Sequence, residues 1–62
     1  MANLTIRQQS FVREYLIDRN YEKAAIRAGY SGEKAKEIGI KNITNPNIAK
    51  AIQEAQESFL MR

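Results

Sequence analysis

The sequence contains no cysteine, no histidine and no tryptophan, and only one proline and three glycines among its 62 residues. Without cysteine the chain forms neither a disulfide nor a thiolate metal site, and nothing marks it as secreted. Without histidine it lacks the commonest general base and metal ligand, and it offers no pairing of a nucleophile with a base. We therefore expect no enzymatic activity, no catalytic residue, no metal and no cofactor.

Long apolar runs are also missing. No stretch approaches the roughly 20 apolar residues that cross a bilayer. The first residues, Met1 to Leu4, lack the charged and apolar regions of a signal peptide. The expectation is a soluble, untargeted protein of the cytoplasm that has no membrane partner.

The charge balance is mildly basic. Ten lysine and arginine residues against seven aspartate and glutamate residues give a net charge of +3 and a pI of about 9.5. Nine of the basic and five of the acidic residues lie at or before Lys50. This excess favours an anionic partner such as DNA, and we expect the anion-facing surface within residues 1–50.

Capping residues and apolar spacing predict an all-α fold, a compact bundle of four short helices. Thr5 and Gln8 have the pattern of a capping box, and Asn20 is a good N-cap. Asn45 is expected to cap the last helix, with Pro46 at its first position. In one domain covering residues 1–62, the predicted helices span residues 6–18, 21–28, 32–43 and 46–60.

Apolar residues recur at helical spacing in the three longer helices, and the second helix is rich in alanine, which permits close approach of another helix. The predicted core stripes are Phe11, Val12, Tyr15 and Leu16, then Ala35, Ile38, Gly39 and Ile43, and finally Ile48, Ile52, Ala55 and Phe59. On the first helix, Arg7, Arg13 and Glu14 are expected to face water.

A tight corner joins the second and third helices. Gly29 is expected to end the second helix in a left-handed conformation, and Ser31 to cap the third helix after a turn of three or four residues. Tyr30 is expected to plug the core between them. This layout is that of a helix-turn-helix, whose second helix enters the major groove, although an ordinary helical hairpin has the same spacing.

The third helix is predicted to present a cationic face. With Ala35 at the centre of its buried side, the outward residues are Lys34, Glu37 and Lys41, with Glu33, Lys36 and Ile40 on the flank. Lysines neutralise phosphates, but they also decorate any solvated helix, and Glu37 and Lys41 are spaced as a stabilising ion pair. Ile40 is placed to touch a thymine methyl group.

Other elements supply further candidates. Ser31 would lead the free amides of a helix N-terminus onto a phosphate. Lys23 and Arg27 lie four residues apart on the second helix. The candidate DNA-binding residues are Lys23, Arg27, Ser31, Lys34, Lys36, Lys41 and Lys50.

Residues 4–16, LTIRQQSFVREYL, followed by Asn20 and by AAIRAGYS at residues 24–31, resemble the N-terminal domain of phage terminase small subunits. The similarity continues through Ala35, Ile38, Gly39, Asn45, Pro46 and Ile48. The resemblance implies a non-catalytic protein of the bacterial host cytoplasm. Such a protein recognises the packaging start site on double-stranded viral DNA and brings it to the large terminase subunit, which holds the ATPase and nuclease.

Family members commonly continue into an oligomerisation region, which implies a homo-oligomer in a longer parent chain. Here the sequence stops at Arg62, as in a truncated or unusually short member. Tyr21 and Glu22 stand where smaller or neutral residues are usual, so the packing of the second helix is expected to differ. Asn42 stands where an apolar residue is usual, and we expect the third helix to end earlier or to expose this position.

Two other functions fit the residues. One is a transcription regulator with the same helix-turn-helix. The other is a protein-interaction module that docks through the apolar end at Phe59 to Met61. Salt dependence separates apolar docking from DNA binding, because neutralising phosphates makes affinity fall steeply with salt.

Overall fold

A computed structural model of the chain describes residues 4–60, with side chains described through residue 57. The chain forms the helices α1 (Ile6–Asp18), α2 (Tyr21–Arg27), α3 (Ala35–Thr44) and α4 (Pro46–Leu60). Residues 4–60 contain no strand. The predicted all-α class is confirmed, and α1 and α4 have the predicted bounds. Within the described part of the chain, no helix is long and apolar enough to cross a membrane.

The first two helices begin at the predicted caps. The Thr5 side chain accepts the Gln8 N–H at 3.1 Å, while the Gln8 side chain accepts the Thr5 N–H at 2.9 Å. Asn20 Oδ1 accepts the N–H three residues further on at 3.0 Å. Each contact satisfies an amide that has no partner within its own helix. These boundaries are therefore fixed by residues close in sequence.

Asn45 alone separates α3 from α4, and it serves both helices. Its N–H donates to the Asn42 carbonyl at 3.1 Å, and its own carbonyl accepts the Ala49 N–H at 2.8 Å. Its side-chain oxygen accepts the Asn47 N–H at 2.9 Å, and Pro46 follows at the first helical position, as predicted. One residue thus ends one helix and starts the next.

The core draws on all four helices. Phe11 and Ile48 are the largest fully buried side chains, and the Phe11 ring stacks on Tyr15 with ring centroids 5.9 Å apart. The other buried apolar residues are Val12, Ala24, Ala25 and Ala35. The stripes predicted from spacing are confirmed except at two positions of α4: Ala55 is half-buried but does not pack against the core, and the Phe59 side chain lies outside the described residues.

Helices α2 and α3 approach each other closely at Gly39. A Cβ atom at Gly39 would lie 2.6 Å from the Tyr21 carbonyl oxygen and 2.7 Å from its Cδ1 atom. Only glycine therefore fits at this point of α3. Tyr21 packs half-buried against the core, while Glu22 is exposed.

Gly29 ends α2 in the predicted left-handed conformation, with φ of +103°. The Tyr30 N–H donates to the Ala25 carbonyl at 3.0 Å, and the Gly29 N–H donates to the Ile26 carbonyl at 3.1 Å. This pair of bonds is the Schellman motif, which satisfies the last carbonyls of a helix. Tyr30 packs half-buried against the core, so its predicted role as a plug is confirmed.

The predicted start of the third helix is wrong. The helix begins at Ala35 rather than at residue 32, and its N-cap is Lys34, with no side-chain cap hydrogen bond. Ser31 caps nothing: its carbonyl accepts the Lys34 N–H at 3.2 Å, and the Gly32 carbonyl accepts the Ala35 N–H at 3.4 Å. The connection is longer than predicted because the chain, after placing Tyr30 on the core, makes a further turn before α3 begins.

The expectation for Asn42 is also wrong, because α3 continues to Thr44 and Asn42 is only 7% exposed. Its register places it on the same side of α3 as Ala35 and Gly39, and this side is buried against the bundle. The Asn42 Nδ2 atom has no hydrogen-bond partner. A buried amide without a partner lowers stability by about 1–3 kcal/mol.

Gly39→Ala should lower the free energy of unfolding by about 1–3 kcal/mol, the usual effect of overpacking. The sign of this change is informative, because replacing glycine by alanine within a helix ordinarily stabilises the helix by about 1 kcal/mol. The matched control is Gly32→Ala, where no atom lies within 4 Å of the added Cβ and the backbone is not left-handed. Urea unfolding should show a loss for the first variant and none for the second.

Asn42→Leu should raise the free energy of unfolding by about 1 kcal/mol, because it removes the unpaired amide and adds apolar burial with the same number and branching of side-chain heavy atoms. Thermal denaturation followed by circular dichroism measures this change. A lower melting temperature would mean that the amide is satisfied in solution.

Candidate nucleic-acid interface

Helix α3 has an inner side that packs against the bundle and an exposed side, which we call its outer side. Ala35 is fully buried, and Gly39 contacts the α2 backbone. The residues on and beside the outer side are all exposed: Glu33, Lys34, Lys36, Glu37, Ile40, Lys41 and Thr44. The placement predicted for these residues is confirmed except for Thr44, for which none was predicted. Glu33 and Lys34 precede the first helical residue.

The lysines of this surface have no carboxylate partners. Among the described side chains, the ion pairs are those that Arg27 makes. The predicted pair between Glu37 and Lys41 does not form. Glu37 instead lies in the first turn of α3, where a negative charge stabilises the helix dipole. Lys34, Lys36 and Lys41 therefore present ammonium groups that are free for an external anion.

Arg27 is occupied within the fold. Its Nε atom donates to Glu14 Oε1 at 2.8 Å, and a terminal nitrogen donates to the Glu14 carbonyl at 2.9 Å. Both terminal nitrogens also reach the Asp18 carboxylate at 3.2 Å. Glu14 was expected to face water, but it is half-buried in this cluster. Arg27 ties α2 to α1.

The cluster shifts the acid–base equilibria of its members. Hydrogen bonds from the Arg27 guanidinium, and then from the Asn20 N–H, hold the pKa of Asp18 below its ordinary range. The same carboxylate, followed by Glu14, raises the pKa of Arg27. Both shifts favour the charged pair at neutral pH.

The remaining candidates lie on other elements. Lys23 is exposed in the first turn of α2, Ser31 is exposed in the turn before Lys34, and Lys50 is exposed on α4. Arg7 of α1, which was expected to face water, is exposed and lies over the Tyr30 ring at 5.5 Å from its centroid. All seven predicted site residues are thus exposed, and three of them, Lys34, Lys36 and Lys41, lie on α3 or immediately before it.

Sequence reasoning missed the engagement of Arg27 because its partners lie 9 and 13 residues away on another helix. One signal was present. Glu14 and Asp18 are four residues apart, so they share one side of α1 and offer two carboxylates to a single cation.

Comparison with known proteins identifies the family. The family described as terminase small subunit matches residues 4–62. The chain belongs to the terminase small subunit family. Similar curated relatives are the terminase small subunits of Bacillus phages SF6 and rho15, each 46% identical over 50 residues, which is 79% of this chain. The chain spans about a third of the length of these relatives, 34% in each case. No solved structure matches the chain significantly.

Asp18→Asn should lower the melting temperature at pH 7 because it removes one of the two carboxylates that hold Arg27. The folded-state pKa of Asp18 is depressed below the unfolded value of about 3.9, so its stabilising effect is complete above that value and disappears as the pH falls through the folded pKa. The gap between the two proteins should therefore close below about pH 4.

Differential scanning calorimetry from pH 7 to pH 2.5 measures this gap, and all other carboxylates are common to both proteins. Arg13→Gln is the matched control, because Arg13 is an exposed cation of α1 outside the cluster. A gap between wild type and Asp18→Asn that stays constant to the lowest pH would refute the assignment.

Proposed function

We propose that this terminase small subunit chain binds double-stranded DNA, with the outer side of α3 in the major groove. The observation that supports it is the set of unpaired lysines on α3 or immediately before it, Lys34, Lys36 and Lys41, because the other side of this helix is locked to α2. A fixed helix with a cationic rim matches the way recognition helices contact base edges while their neighbours neutralise phosphates.

The other candidate residues flank this helix in the proposal. Lys23 on α2 and Lys50 on α4 supply phosphate contacts beside the groove, and Ser31 offers its hydroxyl and N–H from the preceding turn. Arg27 contributes chiefly by fixing α2 against α1, because its guanidinium already binds two carboxylates. Lys34, Lys36 and Lys41 therefore carry the main electrostatic contribution.

Family membership favours genome packaging over transcription control as the purpose of this binding. In this proposal the chain recognises the packaging start site on phage DNA inside the host cell and presents it to the large terminase subunit. Cleavage and ATP hydrolysis belong to that partner. The chain contributes affinity and position rather than catalysis.

A domain of this size should bind weakly when alone. Non-specific DNA affinity is expected on the order of 10⁻⁴ to 10⁻⁶ M near physiological salt. Site selection then requires several copies acting on neighbouring sites, since linked copies convert later contacts into intramolecular ones. A homo-oligomer built by a longer parent chain would supply such copies.

Lys34→Ala and Lys41→Ala should each weaken duplex binding and reduce the slope of log affinity against log salt by about 0.9, the effect of one lost phosphate contact. Fluorescence anisotropy with a labelled duplex at several salt concentrations measures both quantities. Circular dichroism should show unchanged helix content, because both side chains are exposed.

Arg13→Ala is the matched control, since it removes the same charge from α1. Unchanged affinity in both lysine variants would show that α3 does not contact the DNA. A complex whose affinity barely responds to salt would indicate apolar docking to a protein partner instead.

A further inference from the structure

We propose that Ile40, supported by Thr44, makes this DNA surface sensitive to thymine through its 5-methyl group. The inference rests on the proposed function, because it assigns a base contact to the same outer side of α3. Its basis is the placement of an apolar side chain among the charged groups of that side.

Ile40 is the large apolar residue that α3 leaves exposed. It is 42% exposed, whereas Ile38 and Ile43 of the same helix pack half-buried against the core. Its position lies about 140° around the helix from the fully buried Ala35. Burial in this bundle therefore does not explain an isoleucine at position 40.

Lys36, Ile40 and Thr44 form one row along α3 at intervals of four residues. The Thr44 hydroxyl donates within its own helix, with oxygens of Ile40 and Lys41 at 2.9 and 3.1 Å. Because this hydroxyl proton is used internally, the methyl group of Thr44 is the part left for outside contact. The row thus offers a cation followed by two apolar groups.

The major groove presents one apolar feature, the 5-methyl group of thymine, and apolar side chains recognise it by contact. The ammonium of Lys36 suits a phosphate at one end of the row, while Ile40 and Thr44 suit a methyl group beyond it. Removing one buried methyl contact weakens binding about fourfold, the equivalent of ~0.8 kcal/mol.

The test compares two duplexes that differ only in this methyl group. One alternates dA and dT, and in the other deoxyuridine replaces every thymine. Wild-type protein titrated at low salt should bind the thymine duplex about fourfold more tightly. Ile40→Ala should bring this ratio close to one, and Thr44→Ser, which keeps the hydroxyl and removes the methyl group, should reduce it in part.

Ile17→Ala is the control variant, because Ile17 is an isoleucine of α1 that is 70% exposed. It should keep the wild-type ratio, which shows that the loss of the ratio is specific to position 40. A ratio caused by duplex shape alone would persist in Ile40→Ala. Equal binding of both duplexes by wild type, or an undiminished ratio in Ile40→Ala, overturns the thymine contact and leaves DNA binding intact. Failure to bind either duplex at low salt overturns the proposed function as well.

Discussion

The approach of α3 to the Tyr21 carbonyl at Gly39 is the constraint on which the surface of this protein depends. A helix exposes a defined set of side chains only when its rotation about its own axis is fixed. Here a backbone contact fixes that rotation, and the small buried residues Ala24, Ala25 and Ala35 allow the helices to meet closely. Lys36, Ile40 and Lys41 face outward as a consequence.

Close packing of small residues leaves little apolar area, so the core relies on a few large side chains. Phe11 and Ile48 are the largest of those that are fully buried. Domains of this length bury a modest share of their surface, and their net stability is a few kcal/mol. An unpaired amide at Asn42 is a substantial reduction on that scale. The Arg27 cluster adds a link between α1 and α2 at the surface.

The sequence predicted those features that depend on neighbouring residues. The capping box at Thr5 and the Asn45–Pro46 pair fixed the bounds of α1 and α4, and helical periodicity placed the lysines of α3 outward. The start of α3 was missed because Ser31 is a suitable N-cap when only its neighbours in sequence are considered. The packing of Tyr30 on the core instead decides where the chain turns. The partners of Arg27 and the burial of Asn42 were missed for a similar reason, since residues on other helices determine their surroundings.

Asn45 leaves the connection between α3 and α4 little backbone freedom. Its N–H, carbonyl and side-chain oxygen are each engaged in closing one helix or opening the other, and Pro46 restricts the backbone immediately after it. We therefore expect α3 and α4 to move together, with little bending at Asn45. A force on α4 would then rotate α3, the helix that we propose lies in the major groove, before the angle between the two helices changed.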